Sequence, residues 1–281
     1  MTLLLLWSNG DEINVLADTL FGGGYGEGSE VGPKIFAVPI TISDLDQAKK
    51  ERLPNMGFAF AGNVLSGQFA HALASTCLQN LAAPNTTSKP DVADVATYYA
   101  ECGLRIVEER RRHKALDGYG FEGVVFGYSN KSSTSKAYHF NVHVNTEGNC
   151  VAPLQELLLP EGKVHPVGSG APYAREVLAH LELNDAPIDP CELMDFIIAS
   201  EKVPSVGGEF QAATSRSDGV ELRPVQRFLR RKDTGALDVD FAVMGINIHR
   251  MGMVAGYVPI GIPLHAYTAE RLKRVMNGDV Q

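Results

Sequence analysis

Three residues near the start of the chain could act together in acyl transfer: Thr2, Asp18 and Lys34. A threonine hydroxyl is a weak nucleophile at neutral pH and needs a base beside it. Removal of Met1 would give Thr2 a free α-amine, whose pKa of about 7.7 to 8.0 lets it accept a proton near neutrality. Because threonine is a small second residue, we expect Met1 to be removable. Thr2 is therefore the predicted nucleophile, with its own α-amine as the base.

Asp18 and Lys34, which follow Thr2 by 16 and 32 residues, carry the complementary charges. A lysine ammonium packed against the Thr2 hydroxyl would stabilise the developing alkoxide, and the aspartate would hold that ammonium in place. Taken singly, the three residues are more typical of a strand start, a turn and a solvated surface than of a catalytic site. Their spacing and the surrounding motifs favour the catalytic interpretation.

Several sequence blocks occur in a recognisable order. They are Thr-Leu-Leu-Leu-Leu from Thr2, Val-Leu-Ala-Asp-Thr ending at Thr19, Lys-Ile-Phe from Lys34, Phe-Ala-Phe-Ala-Gly ending at Gly62, Gly-Ser-Gly around Ser169, and Ser-Val-Gly-Gly from Ser205. In this order and spacing the blocks resemble the proteasome β-subunit family of N-terminal-nucleophile hydrolases, which includes bacterial proteasome-type peptidases. The resemblance covers about residues 2 to 225.

The resemblance implies an α+β fold of four αββα layers, with two antiparallel sheets between helix layers. It implies that Gly62 supplies an oxyanion-hole N–H and that Ser169 lies beside the nucleophile. Residues 2–225 would form this domain. Residues 226–281 have no counterpart and are expected to be an extension, packed on the same domain or in an oligomer contact.

The resemblance also implies a peptide or protein substrate, laid as an added strand along the cleft. The residues that match positions around the first specificity pocket are Phe21, Gly32, Phe60 and Val64. We therefore expect a preference for apolar side chains, although ordinary core packing explains Phe60 and Val64 equally well. A homo-oligomeric ring is implied, whereas an ATPase partner is neither indicated nor excluded.

Two departures from the family pattern stand out. The ungapped match puts Val203 and Val206 where many proteasome subunits carry an aspartate and a serine that bind the N-terminal amine. Ser169 and backbone carbonyls could hold the amine instead. The stretch 37–56 is also longer than the usual hairpin, so access to the cleft could differ.

Hydrophobic periodicity predicts the main elements. Strands are expected at 3–7, 12–18, 34–40, 56–61, 123–128 and 137–144, and helices at 64–81, 92–114, 172–183, 189–200 and 266–277. Asn9-Gly10 is typical of a tight hairpin turn, and Asp189 followed by Pro190 is typical of a helix start.

Composition narrows the function classes. A formal net charge of -8 argues against broad nucleic-acid binding, and the basic run 110–114 is interpreted as a solvated helix end. The four cysteines are scattered, and His139 and His143 on one strand face have no further ligand at suitable spacing, so no metal and no cofactor are expected. The leucine run is too short for a membrane span or a signal sequence, and we expect a cytoplasmic protein.

The leading hypothesis is a threonine-type amidohydrolase, and more narrowly a peptidase, that acts through an acyl-enzyme ester on Thr2. A transferase or ligase could use the same ester with an incoming amine in place of water. A noncatalytic ring or scaffold subunit is the contrasting hypothesis, which Val203 and Val206 favour and the set of Thr2, Asp18 and Lys34 opposes.

Overall fold

A computed structural model of the chain gives its fold. It describes residues 2–22, 29–46, 49–83, 88–113, 118–183, 188–230, 237–243 and 246–247. For 226–230, 237–241 and 247 the description covers the backbone alone.

The elements run along the chain in the following order. The strands are β1 (Leu4–Asn9), β2 (Glu12–Asp18), β3 (Ile35–Asp44), β4 (Lys49–Gly62), β5 (Leu81–Ala83), β6 (Phe121–Ser129), β7 (Thr134–Val144), β8 (Cys150–Val151), β9 (Leu154–Leu157), β10 (His165–Val167), β11 (Phe210–Arg216), β12 (Gly219–Arg223), β13 (Val225–Arg230), β14 (Leu237–Val243) and β15 (Ile246–Asn247). The helices are α1 (Val64–Leu78), α2 (Val92–Arg112), α3 (Ala171–Leu183) and α4 (Pro190–Ser200).

The first sheet has the order β10-β1-β2-β11-β12, and its neighbouring strands are antiparallel. Leu4 and Leu6 of β1 pack in the core between the sheets, whereas Leu3 and Leu5 pack with α3 and α4. Successive side chains of a strand point to opposite faces, so a strand covered on both sides needs a continuous apolar run. The leucine run therefore makes β1 a central, fully buried strand.

The second sheet has the order β5-β3-β4-β6-β7-β8, with β9 also paired to β7. Helices α1 and α2 pack on its outer face around a core that includes Phe58, Phe60 and Tyr99. The layers thus run helix pair, sheet, sheet, helix pair. The predicted αββα sandwich is confirmed.

The β3–β4 hairpin is longer than the predicted strands 34–40 and 56–61. Pairing continues outward to Ile42 opposite Glu51 and Asp44 opposite Lys49, past an irregularity between Val38 and Ile40. The outer part of the hairpin is rich in charged side chains, so its sequence shows little apolar alternation. Its backbone pairing is nevertheless regular. The long stretch 37–56 is therefore mainly an extended hairpin.

Helix α1 ends earlier than the predicted residue 81. The amide nitrogen of Gln79 donates to the Ser75 carbonyl at 3.0 Å, and that of Asn80 donates to the Thr76 carbonyl at 2.8 Å. These side chains bind carbonyls of the last turn, and the Ser75 carbonyl also accepts from the backbone N–H of Gln79 at 3.1 Å. Leu81, expected in the helix, instead begins β5.

The described part of the extension is a small separate sheet of β13, β14 and β15. Val225, at its start, is buried in the core shared with α3 and α4. The helix predicted at 266–277 lies outside the described residues, and the domain boundary after 225 stays a prediction. In the described part of the chain, no helix is both long enough and apolar enough to cross a membrane.

His71 of α1 provides a test of this packing. Its ring stacks on Phe36 at 4.2 Å between centroids, and its Nδ1 lies 2.9 Å from the Tyr99 hydroxyl. Burial lowers the pKa of His71 to about 4. The unfolded chain, with a pKa near 6.5, therefore binds more protons than the folded chain between these values, and the free energy of unfolding falls as pH drops.

Between pH 6.5 and 4, the free energy of unfolding of His71→Phe should fall by about 1 to 2 kcal/mol less than that of the unmodified protein, after allowance for solvent screening. Urea unfolding at several pH values measures it. His113→Phe, at an exposed position on the end of α2, is the matched control and should follow the unmodified protein. Identical pH curves for His71→Phe and the unmodified protein would contradict the prediction.

Candidate active site

A fully buried ion pair lies at the centre of the site. Asp18 is the last residue of β2 and Lys34 directly precedes β3, and the Lys34 Nζ lies 2.9 Å from the Asp18 Oδ1. Both side chains are 0% exposed. Burial raises the pKa of the Asp18 carboxyl and lowers the pKa of the Lys34 ammonium, while the charge of each partner opposes the other's shift. The predicted pairing of these two residues is thus present.

The Asp18 carboxylate also accepts hydrogen bonds from three backbone N–H groups. The Leu3 N–H donates to Oδ1 at 2.9 Å, and the N–H groups of Leu20 and Gly207 donate to Oδ2 at 3.3 and 3.1 Å. Such donors stabilise a buried carboxylate. Asp18 therefore ties together the start of the chain, the residues after β2 and the segment before β11.

Thr2 is fully buried beside this carboxylate. Its backbone N–H donates to the Ser169 Oγ at 3.0 Å, and the Ser169 hydroxyl donates to the Thr2 carbonyl oxygen at 3.3 Å. The Gly170 N–H also donates to that carbonyl, at 3.3 Å. The nitrogen is an amide because Met1 precedes it, and it occupies the position that the α-amine would take after removal of Met1.

Ser205 extends this contact. Its Oγ lies 3.2 Å from the Ser169 Oγ, so two hydroxyls follow in series from the Thr2 nitrogen. Val206, which the sequence match put in the place of an amine-binding serine, is buried and packs against Gly170. A shift of one residue in that match would have identified Ser205.

Gly168 is required by the close approach of Thr2. Its φ is +92°, and a Cβ added there would lie 2.4 Å from the Thr2 carbonyl oxygen and 2.8 Å from the Ala61 Cβ. Thr2 and the segment that ends in Gly62 thus meet around this glycine. Only glycine has neither the side-chain clash nor the cost of the left-handed backbone.

Gly62, the predicted oxyanion residue, ends β4 with a φ of +109°. A Cβ there would lie 2.9 Å from the Phe121 Cα. The next residue, Asn63, caps α1 by accepting from the Ser66 N–H at 3.0 Å. Arg110 donates to the Asn63 Oδ1 at 2.5 Å, which fixes the cap. Arg110 is therefore partly buried and bound to the α1 cap. The prediction of a solvated basic run was wrong at this residue.

Two of the four residues predicted to line a specificity pocket, Phe21 and Gly32, are in direct contact. A Cβ on Gly32 would lie 2.5 Å from the Phe21 ring, so the two are in contact. Phe21 and Val64 are partly buried and pack on the core cluster that contains Phe60. Phe60 itself is fully buried, and a Cβ on Gly67 of α1 would lie 2.4 Å from its ring.

Gln211 was not found from the sequence. Its side-chain oxygen accepts from the backbone N–H groups of Lys34 and Ile35 at 2.6 and 3.1 Å, and so holds the start of β3 against β11. Thr19 similarly donates to the Glu30 carbonyl at 2.6 Å and accepts from the Glu209 N–H at 2.8 Å. No local motif marks Gln211, and the sequence block that ends at Thr19 does not predict these contacts, because each contact joins separate segments.

The described residues contain no group of three histidine, cysteine, aspartate or glutamate side chains that could hold a metal ion. His139, one of the two histidines on β7, pairs with Glu122 at 2.9 Å. The expectation that no metal is used stays a prediction.

Comparison with known proteins places the fold. No protein-family profile and no curated protein sequence matches the chain. Among solved structures, the helical assembly of the Anbu complex from Pseudomonas aeruginosa is similar, with 15% identity, 79% of this chain and 84% of that chain covered, and a TM-score of 0.54. The Gly-1 mutant of Anbu from Hyphomicrobium sp. strain MC1 is also similar, with 15% identity, 79% of this chain and 84% of that chain covered, and a TM-score of 0.51. Anbu from Yersinia bercovieri, described as an ancestral β-subunit, has 12% identity, with 79% of this chain and 87% of that chain covered and a TM-score of 0.50.

The chain shares the fold of Anbu proteins. This corrects the family expected from the sequence, because Anbu is a proteasome-like family distinct from the classical proteasome β-subunit. The N-terminal spacing and the glycine turns belong to strands and turns of this sandwich fold. They therefore indicate the fold and do not identify the family. At 12 to 15% identity, the likeness establishes the fold alone.

Two glycines with positive φ allow a matched test of the Thr2 contact. Gly168→Ala should cost several kcal/mol of stability because its Cβ cannot fit beside the Thr2 carbonyl. Gly148→Ala, where φ is +82° and nothing lies within 4 Å of the added Cβ, carries only the backbone cost of about 1 kcal/mol. Denaturant unfolding compares them. Equal losses would show that the Thr2 contact has little energetic weight.

The ion pair predicts an asymmetry between its partners. Asp18→Asn should cost about 3 to 5 kcal/mol, because it removes the charge that compensates the buried ammonium. Lys34→Met should cost at least about 1 kcal/mol less, because the Asp18 carboxylate keeps three N–H donors. Urea unfolding measures both, with the exposed Asp218→Asn as a near-neutral control. A larger loss for Lys34→Met than for Asp18→Asn would overturn this account.

Proposed function

We propose that the protein is a threonine-type N-terminal-nucleophile amidohydrolase acting on peptides, with Thr2 as the nucleophile after removal of Met1. The observation that carries the proposal is the buried Asp18–Lys34 ion pair, which a hydrogen bond from Leu3 to Asp18 joins to the residue next to Thr2. Two buried charges are costly for stability alone, and perturbed buried charges cluster at functional sites.

In the proposed acylation step, the Thr2 Oγ attacks the substrate carbonyl carbon and its proton passes to the Thr2 α-amine. The new O–C bond forms as the carbonyl becomes an oxyanion. The amide C–N bond then breaks, and the leaving amine takes the proton from the α-amine. The positive charge of Lys34 would stabilise the alkoxide, while Asp18 keeps the ammonium oriented.

In the proposed second step, a water attacks the ester carbonyl carbon and gives a proton to the α-amine, the ester C–O bond breaks, and the Thr2 Oγ takes that proton back. Ser169 and Ser205 would orient that amine, which is supported by the 3.0 and 3.2 Å contacts in series from the Thr2 nitrogen. The Gly62 N–H is the proposed donor to the oxyanion. Its place at the end of β4 supports this, because the preceding residue, Ala61, contacts Gly168.

We further propose that the substrate presents an apolar side chain to Phe21, Gly32, Phe60 and Val64. Phe21 exchanges backbone hydrogen bonds with Ser29 across the loop between β2 and β3, at 2.6 and 2.5 Å. This bridge holds the Phe21 ring at the border of the site, where the Lys34 Nζ lies 5.8 Å from its centroid. Because Phe60 is fully buried and glycine has no side chain, Phe21 and Val64, both partly buried, are the side chains that would meet the substrate.

Self-association is part of the proposal, because one structural relative forms a helical assembly. The ring form and a cytoplasmic location stay predictions from the sequence, which neither indicates nor excludes an ATPase partner. A transferase would use the same ester with an added amine as acceptor, and a scaffold would not form the ester.

The test is intact mass of the purified protein before and after treatment with a peptide epoxyketone, which reacts with a threonine that carries a free α-amine. We expect loss of one methionine and then a single adduct on Thr2. Thr2→Ala should take no adduct, whereas Thr97→Ala, on the exposed face of α2, should react like the unmodified chain.

A chain that begins at Thr2 but stays unlabelled, and that cleaves no apolar peptide amide, would refute the enzyme and favour the scaffold. Retention of Met1 in the mature protein would refute the proposed base. Product analysis with added amines separates hydrolase from transferase, since a transferase would give mainly the new amide at amine concentrations where a hydrolase gives mainly the free acid.

A further inference from the structure

A second, mostly apolar pocket lies on the other side of β11 from β2. Its volume is about 370 Å³, within the range of about 300 to 1,000 Å³ usual for small-molecule sites. The start of β11, the end of β12, the start of β3 and the end of β14 line it. Apolar walls come from Ile35, Phe36, Phe210, Leu222 and Val243.

Among the described residues that line this pocket, only Arg223 is charged. Its side chain is 13% exposed. The Nε and Nη2 atoms are buried and make no hydrogen bond with the residues that the structure describes. The Glu221 Oε2 lies 3.4 Å from Nη2, close enough for charge attraction but without hydrogen-bond geometry.

The two unpaired donors form one edge of the guanidinium. Its Nε–H and one Nη2–H point in the same direction, which is the arrangement that binds both oxygens of a carboxylate at once. Leaving buried donors without acceptors costs stability, so the protein gains if a ligand supplies them. An anion with two coplanar oxygens matches this edge, and an apolar group attached to it matches the walls.

We propose that this pocket binds a carboxylate carried on an apolar group, with the Arg223 Nε and Nη2 donating to its two oxygens. The same chemistry occurs in free aryl- or alkyl-carboxylic acids and in the C-terminal residue of a peptide. The site is independent of the proposed catalytic activity. It adjoins the Lys34 segment, because Gln211 lines the pocket while its side-chain oxygen holds the Lys34 backbone N–H.

The test titrates the full chain with 4-phenylbutyrate and with its uncharged amide, using calorimetry. The acid should bind saturably and the amide at least about tenfold more weakly, since the amide cannot make two charge-assisted bonds with the guanidinium. This comparison needs no variant and so does not depend on folding. Equal affinities, or no binding of the acid, would overturn the proposal.

Variants locate the site. Arg223→Met should abolish binding without lowering the unfolding midpoint, because a buried guanidinium whose Nε and Nη2 lack hydrogen bonds to the described residues is exchanged for an apolar side chain. Arg216→Met is the matched control on the surface, where that arginine pairs with Glu12, and it should bind the acid like the unmodified chain. Thr2→Ala should do so as well, which separates this site from the proposed catalytic one. Unchanged binding in Arg223→Met would overturn the assignment.

A second titration distinguishes the source of the carboxylate. The peptide acetyl-Ala-Ala-Phe with a free C-terminus is compared with its C-terminal amide. Tighter binding of the free peptide than of 4-phenylbutyrate would identify the ligand as a peptide C-terminus. Binding of the small acid alone would identify a free carboxylic acid.

Discussion

Two opposite charges without access to water, on Asp18 and Lys34, set the geometry on which the rest of the site depends. A buried charge is tolerated only when its partner and its hydrogen bonds stay in place. Asp18 takes its bonds from Leu3, Leu20 and Gly207, which belong to three different segments. Movement of any of these segments would therefore expose a charge to an apolar interior, and this cost keeps the site in one arrangement.

The sandwich supplies the second constraint through β1. Because both faces of the leucine run are packed, the strand cannot slide by one residue without moving every leucine to the wrong core. Thr2, at the beginning of this strand, is therefore fixed from one side. From the other side, the turn with Gly168 and Ser169 closes on its carbonyl and nitrogen. A nucleophile is best held by such rigid elements.

Strand β11 connects the two proposed sites. Phe210 at its start pairs with Asp18 across the sheet, and the next residue, Gln211, holds the backbone of Lys34. Both residues also line the pocket that contains Arg223. A carboxylate bound there would contact the same side chain that positions the start of β3. The fold thus places a ligand pocket and the ion pair on opposite sides of one short strand.

The sequence by itself predicted the αββα sandwich and the pairing of Asp18 with Lys34, because the order and spacing of its blocks resemble those of a known fold, whereas a catalytic role for Thr2 stays a prediction. It also identified the turn that carries Ser169. Only the tertiary structure decided the roles of Ser205 and Gln211, the length of the β3–β4 hairpin and the pocket with its guanidinium. These depend on contacts between distant segments, whose distances follow from how the layers pack and not from any single stretch of residues.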